Sequence, residues 1–164
     1  MSARPVVVIE DNTDDFAVLV RMYRGIDPAL ELIRFQRGDE FIRALRCGDV
    51  AWPWYVLLDL NLPGPSGIDV LRELKGDAAR GCLAVIMVSG SARPADVRDA
   101  YLAGANSYVV KPLDPHPYGE QLSALHRYWV GVVASPPGPL GPPGSLGPLG
   151  PLGLLGLLAP PDHD

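Results

Sequence analysis

The stretch WYVLLDLNLPGPSG, residues 54–67, joins a run of large apolar side chains to a carboxylate and a sharp turn. Asp59 ends the apolar run, and a loop with two prolines and two glycines follows at once. Near-continuous apolar runs of this kind are typical of strands buried on both faces of a parallel sheet. Ligands of open α/β sheets collect outside the carboxyl ends of the strands. The stretch therefore predicts a buried parallel strand that places Asp59 on the ligand-binding edge.

Strand-like and helix-like segments alternate along the chain. The other apolar runs are residues 5–10, 30–35, 83–89 and 107–110. Apolar residues recur at helical spacing in residues 13–24, 38–46, 66–75, 94–104 and 117–133. Ser66 is expected to cap the third helix, with Asp69 as its capping-box partner. Strand–helix alternation implies right-handed crossovers, so we predict an α/β domain with a five-stranded, doubly wound parallel sheet.

The composition changes near Ser135, where a mixed sequence gives way to glycine, proline and leucine without lysine or arginine. We therefore expect a domain at residues 1–134 and a low-complexity tail at residues 135–164. Glycine recurs at every third position from 138 to 156, a period that a collagen-like triple helix requires. Because the repeat is short, a disordered or polyproline-like tail is favoured. The leucines of residues 152–158 could instead pack on the domain or on a partner.

Charge and hydropathy exclude several classes of protein. The formal net charge of −5 argues against a nucleic-acid-binding protein. No run reaches the roughly 18 apolar residues that cross a membrane. Cys47 and Cys82 lack a metal-ligand spacing and fit reduced thiols, so we expect a cytoplasmic protein.

Five polar residues lie at the predicted carboxyl ends of the strands. They are Glu10, Asp11, Asp59, Ser89 and Lys111. Three carboxylates at one edge repel one another, and oxygen ligands alone favour Mg²⁺ as the neutralising cation. Asp59 would then act as a nucleophile that forms an acyl phosphate, while Lys111 and the Ser89 hydroxyl hold phosphoryl oxygens. A single acid at a strand end is more often a cap or turn residue, so the prediction depends on the whole set.

Four motifs resemble those of the receiver domain of two-component response regulators, the CheY-like fold. They are VIEDN (8–12), LLDLNLPGPSG (57–67), VSGSA (88–92) and SYVVKP (107–112). The resemblance covers about residues 4–130 and implies a flavodoxin-like (βα)5 fold. It implies that Glu10 and Asp11 form the acid pair, and that Asp11, Asp59 and the Asn61 carbonyl hold Mg²⁺.

The same resemblance assigns the remaining roles. Asp59 becomes the phosphoacceptor, Lys111 the phosphoryl-binding lysine, and Ser89 and Tyr108 the switch residues. It also implies a cis peptide at Lys111–Pro112.

The segment LHRYWVGVV, residues 125–133, carries a narrower resemblance. It is similar to the last helix of small regulators that are paired with phytochrome-type histidine kinases and are typically homodimers. Packing in the core is the simpler role for Trp129, which shares a helical face with Leu122 and Leu125. The remaining apolar positions leave a surface that needs a partner. The predicted interface consists of Tyr128, Trp129, Val130 and Val133.

We therefore expect a single-domain response regulator, not a metabolic enzyme. It would accept a phosphoryl group on Asp59 from a histidine kinase in a phosphorelay and act through protein–protein contacts. An aspartate-nucleophile phosphohydrolase is one alternative, although such enzymes usually carry a second acid at the position that Asn61 occupies. A phosphorylation-independent scaffold is the other alternative.

Overall fold

Five parallel strands form one sheet at the centre of the computed structural model, which describes residues 4–139. The strands are β1 (Val6–Ile9), β2 (Leu32–Phe35), β3 (Val56–Asp59), β4 (Val85–Ser89) and β5 (Ser107–Val110). Their order in the sheet is β2-β1-β3-β4-β5. This is the doubly wound order of flavodoxin-like folds. The predicted fold class is confirmed.

One helix follows each strand. The helices are α1 (Thr13–Ile26), α2 (Gly38–Cys47), α3 (Gly67–Gly76), α4 (Pro94–Leu102) and α5 (Pro115–Gly131). Ser66 and Asp69 form the predicted capping box at the start of α3. The last helix begins two residues earlier than predicted because the Asp114 side chain caps it at the backbone N–H of His116. It also ends earlier, so Val132 is exposed and does not join the core.

The sheet alternates its side chains between two apolar layers. In β1, Val7 and Ile9 pack toward α2, α3 and α4, whereas Val6 and Val8 pack toward α1 and α5. Every residue of β1 is buried. Both faces of the sheet are therefore covered, which is the reason that the central strands are continuous runs of Val, Ile and Leu. In the central strands the polar residues lie only at the carboxyl ends, as Asp59 does in β3 and Ser89 in β4.

The described part of the chain stops shortly after α5. Gly131 is the last helical residue, and residues 132–139 continue without a regular element. The predicted conformation of the tail from residue 140 to 164 lies outside the described residues. None of the helices between residues 4 and 139 combines the length and the apolar character needed to cross a membrane.

Candidate functional site

The register of the sheet brings the polar strand ends together. Ile9 pairs with Leu58, so Glu10 follows β1 at the level where Asp59 ends β3. Ser89 ends β4 opposite Val110, and the backbone N–H of Lys111 donates to the Ser89 carbonyl at 2.8 Å. The predicted convergence of these four residues is what the topology produces.

The Lys111 ammonium lies at the centre of three carboxylates. Its Nζ donates to Glu10 Oε2 at 2.6 Å, to Asp15 Oδ2 at 2.7 Å and to Asp59 Oδ2 at 2.8 Å. The exposed fractions of the acids differ: 3% for Glu10, 11% for Asp59 and 45% for Asp15. One positive charge thus faces three acids, and the cluster is not neutral when all of them are ionised.

The pKa of Glu10 and that of Lys111 both move upward in this cluster. Burial raises the pKa of Glu10 to about 7, although hydrogen bonds from Lys111 and from the Asn12 backbone oppose the change. Burial alone would lower the pKa of Lys111, but hydrogen bonds to Asp15, Asp59 and Glu10 raise it above its ordinary value. Lys111 therefore stays charged, and the most buried acid is the one that is hardest to ionise.

The donor set of the cluster suits a hard divalent cation. One carboxylate oxygen from each of Glu10, Asp15 and Asp59 lies within 4.8 Å of the other two. All three ligand atoms are oxygens, as Mg²⁺ prefers. The excess negative charge around Lys111 gives a cation an electrostatic reason to bind there.

Asp15 is the acid that the sequence did not single out. It lies in the first turn of α1, whose N-cap Asn12 accepts from the backbone N–H of Asp14 and Asp15. The predicted ligand Asp11 lies instead in an exposed position, where its backbone carbonyl accepts from Arg34. The sequence places both Asp14 and Asp15 in the first turn of α1, but which of them faces this edge depends on the folded geometry. Ligation by Asp11 stays a prediction.

The loop after Asp59 explains the sharp turn in the opening stretch. The backbone N–H of Asn61 donates to Asp59 Oδ1 at 3.0 Å, which fixes the orientation of the carboxylate. The N–H of Gly67 donates to the Leu60 carbonyl at 2.9 Å. A Cβ at Gly67 would collide with the Asp59 carbonyl, so only glycine allows α3 to begin this close to the end of β3. The turn holds Asp59 in place. Metal binding by the Asn61 carbonyl stays a prediction.

The two predicted switch residues meet through Ser91. The backbone N–H of Ser91 donates to Ser89 Oγ at 3.2 Å, and Tyr108 Oη donates to the Ser91 carbonyl at 2.9 Å. Ser89 is fully buried, and Tyr108 is half-buried against the core. A change at Ser89 can therefore reach Tyr108 through one residue of the β4–α4 loop.

Two features near the site differ from expectation or stay open. The Lys111–Pro112 peptide is trans, and the cis bond implied by the resemblance is wrong for this structure. A trans X-Pro bond is the more stable form by about 0.5–1 kcal/mol.

Of the predicted interface, Tyr128 is exposed, while Trp129 and Val130 are half-buried against the core. Val133 is half-buried as well. The interface stays a prediction.

Residues 6–122, more than half of the chain, match the family model of the response regulator receiver domain. The chain is also 30% identical over 115 residues to the chemotaxis protein CheY-3 of Vibrio cholerae, an alignment that covers 68% of this chain and 86% of that protein.

Solved structures show the same architecture. The response regulator RPA3017 "in red light signaling of R. palustris" is 29% identical, with a TM-score of 0.77 over 82% of this chain and 99% of that one. The phosphorylated cyanobacterial phytochrome response regulator RcpA is 24% identical, with a TM-score of 0.77 over 83% of this chain and 100% of that one.

A third structure is the receiver domain of the sensor histidine kinase PA1611 from Pseudomonas aeruginosa PAO1, "with magnesium ion coordinated in the active site cleft". It is 22% identical, with a TM-score of 0.63 over 79% of this chain and 99% of that one. At the identities of RcpA and PA1611 the likeness shows the fold alone.

Proposed function

Because the chain belongs to the response regulator receiver domain family, we propose that Asp59 accepts a phosphoryl group from a histidine kinase. The observation that carries the proposal is the Asp59 carboxylate itself. It ends β3 at the carboxyl edge, lies 2.8 Å from Lys111 Nζ and accepts the N–H of Asn61. A carboxylate that is oriented in this way and flanked by a fixed cation suits attack on phosphorus.

The transfer would proceed by displacement at phosphorus. A carboxylate oxygen of Asp59 forms the new O–P bond, the N–P bond of the kinase phosphohistidine breaks, and the departing imidazole takes up a proton. Lys111 offsets the charge of the phosphoryl oxygens and keeps its ammonium because its pKa is raised. The Ser89 hydroxyl, which borders the same edge, would donate a hydrogen bond to a phosphoryl oxygen in the product.

We propose that Glu10, Asp15, Asp59 and the Asn61 carbonyl hold Mg²⁺, with Asp11 as a further candidate ligand. The bound ion would screen the repulsion between the carboxylates and the incoming phosphoryl group. The support for this assignment is the all-oxygen donor set and its unneutralised charge. In this account the protein turns over only its own acyl phosphate and processes no other substrate.

The wider biological assignment rests on the comparisons. RPA3017, a response regulator in red-light signaling, is 29% identical to this chain, which supports a phytochrome-type kinase as the partner. Exposed Tyr128 beside Trp129 supports a homodimer through α5. Phosphotransfer from an ATP-dependent kinase supports a cytoplasmic location. We keep residues 1–134 as the receiver domain and 135–164 as the tail.

Intact-mass measurement tests the proposal. Incubation of the full chain with a small phosphoramidate donor and Mg²⁺ should add one phosphoryl mass, and Asp59→Asn should remove the addition. Asp99→Asn is the matched control, because it makes the same change on α4, away from the cluster. If Asp59→Asn still gains an acid-labile phosphoryl group at the wild-type rate, the assignment is wrong.

A further inference from the structure

A polar and aromatic surface lies at the amino edge of the sheet, opposite Asp59 and Lys111. It consists of Arg4, which precedes β1, and of Trp52 and Trp54, which precede β3. Arg4 donates from Nε to the Trp52 carbonyl at 3.3 Å and from Nη2 to the Pro53 carbonyl at 2.9 Å. Its guanidinium also lies 4.7 Å from the centre of the Trp54 ring. We call these three residues the amino-edge surface.

The segment that follows α5 returns to the amino-edge surface. Arg4 Nη2 donates to the Pro136 carbonyl at 3.3 Å, a contact between residues 132 positions apart in the chain. Pro136 is half-buried, whereas its neighbour Pro137 is exposed. One side of this segment therefore faces the domain, and the other side faces solvent.

Gly138 makes the closest approach. An ideal Cβ at this position would lie 2.9 Å from Trp52 Cγ and 3.0 Å from Trp52 Cβ. These atoms belong to the base of the side chain, so the indole cannot swing aside freely to admit a larger residue. Gly138 is also the first glycine of the Gly-X-Y period. The repeat thus begins where a close contact requires glycine.

We propose that the amino-edge surface is a binding site for proline- and glycine-rich chain, and that its occupant is the protein's own segment, residues 135–139. Proline-rich segments are pre-organised in an extended conformation and dock on aromatic side chains at a low cost in conformational entropy. The segment is tethered a few residues after Gly131, so its effective concentration at the surface is high.

Packing and the arginine account for the binding. Trp52 Nε1 and Ser135 Oγ are buried and have no hydrogen-bond partner within residues 4–139. These two unsatisfied groups cost free energy. The favourable contacts are the apolar face of the Trp52 ring, which Gly138 approaches, and the hydrogen bonds of Arg4. Arg4 donates to two carbonyls of the loop before β3 and to the Pro136 carbonyl. One consequence is that residues 135–139 lie at the amino edge, opposite Asp59 and Lys111.

Fluorine NMR on the full chain tests this docking. The chain has three tryptophans, so 5-fluorotryptophan labelling gives resonances for Trp52, Trp54 and Trp129, each assigned by a Trp→Phe variant. Gly138→Val should shift the Trp52 resonance because the new side chain displaces the segment from the ring. Pro137→Ala is the matched control, and it should leave Trp52 in place because Pro137 is exposed. Trp129 reports on the rest of the fold and should stay unchanged in both variants.

Three outcomes would overturn the proposal. The first is a Trp52 resonance that ignores Gly138→Val. The second is a Trp129 shift as large as that of Trp52, which would mark a general disturbance instead of a local release. The third is a wild-type Trp52 resonance that moves with protein concentration, because the occupant would then come from a neighbouring copy.

Discussion

The two edges of the sheet bury polar groups in different ways. At the carboxyl edge, Glu10, Asp15 and Asp59 share the single ammonium of Lys111, so ionised groups meet without charge balance. At the amino edge, hydroxyl and imidazole groups meet instead. Tyr55 Oη lies 2.9 Å from Tyr23 Oη and 3.1 Å from His126 Nδ1.

The difference separates stability from chemistry. The Tyr23–Tyr55–His126 network consists of neutral groups that hydrogen-bond to one another, so it strengthens the fold when it is complete. The carboxyl-edge cluster holds unbalanced charge, which is costly in the folded protein and useful for binding a cation and a phosphoryl group. Variants at the amino edge should therefore change stability, and variants at the carboxyl edge should change chemistry.

The largest expected effect is on chemistry. Lys111→Ala should slow phosphorylation of Asp59 by about 100-fold, the usual scale for removing one fixed charge that stabilises a transition state. The measurement is the rate of phosphoryl incorporation at saturating Mg²⁺ and donor. Lys75 is the chain's other lysine and the matched control, since its Nζ bonds the Leu83 carbonyl and Asn106, away from the cluster. Equal phosphorylation rates for wild type and Lys111→Ala would show that Lys111 at the carboxyl edge has no special role in the chemistry.

At the amino edge, Tyr55→Phe should lower the free energy of unfolding by about 2 kcal/mol, because Tyr23 and His126 lose their shared partner. Denaturant titration measures the change, and phosphorylation should stay near the wild-type rate. Tyr118→Phe is the control, because the buried Tyr118 hydroxyl has no hydrogen-bond partner among the described residues. If Tyr55→Phe and Tyr118→Phe lower the free energy of unfolding equally, the hydrogen bonds of the network add no stability.

The pH dependence of stability should have opposite signs at the two edges. Burial lowers the pKa of His126, against the pull of Asp27, so the unfolded chain binds this proton more readily. Stability from His126 is therefore present above about pH 6.5 and lost as the pH falls. Burial raises the pKa of Glu10 from 4.5 to about 7, so its contribution is lost as the pH rises between those values.

Difference curves isolate the two groups. Unfolding free energy of wild type minus that of His126→Gln should rise with pH, and wild type minus Glu10→Gln should fall, both without Mg²⁺. Each slope is at most about 1.4 kcal/mol per pH unit. Two slopes of the same sign would show that the electrostatic contrast between the edges is wrong.

The smallest expected effect separates two neighbouring acids. Asp15→Asn should weaken Mg²⁺ binding several-fold, since Asp15 is the most exposed of the three clustered acids. Asp14→Asn is the control, because Asp14 lies in the same first turn of α1 but outside the cluster. Calorimetric titration with Mg²⁺ compares them, and equal affinities in the two variants would remove Asp15 from the site.

Sequence patterns predicted most of the fold because strand burial and helix capping are local. The runs that became β1, β3 and β4 are buried on both faces, and the Ser66–Asp69 capping box needs only adjacent residues. The sequence patterns did not identify Asp15, because its role depends on where the first turn of α1 points after β1 ends. The sequence did not reveal the Tyr23–Tyr55–His126 network for a similar reason. Its members come from α1, from the residue before β3 and from α5, and no spacing in the sequence links them.

The account stands on Asp59 as the acceptor, and chemical trapping tests that point most directly. Hydroxylamine converts an acyl phosphate to a hydroxamate and releases phosphate, so it marks the phosphorylated residue permanently. The full chain would be phosphorylated with Mg²⁺ and a donor, treated with hydroxylamine, digested and examined by peptide mass spectrometry. We predict a hydroxamate at Asp59 and at no other acid. A hydroxamate at Glu10, Asp11 or Asp15, with none at Asp59, would contradict the account.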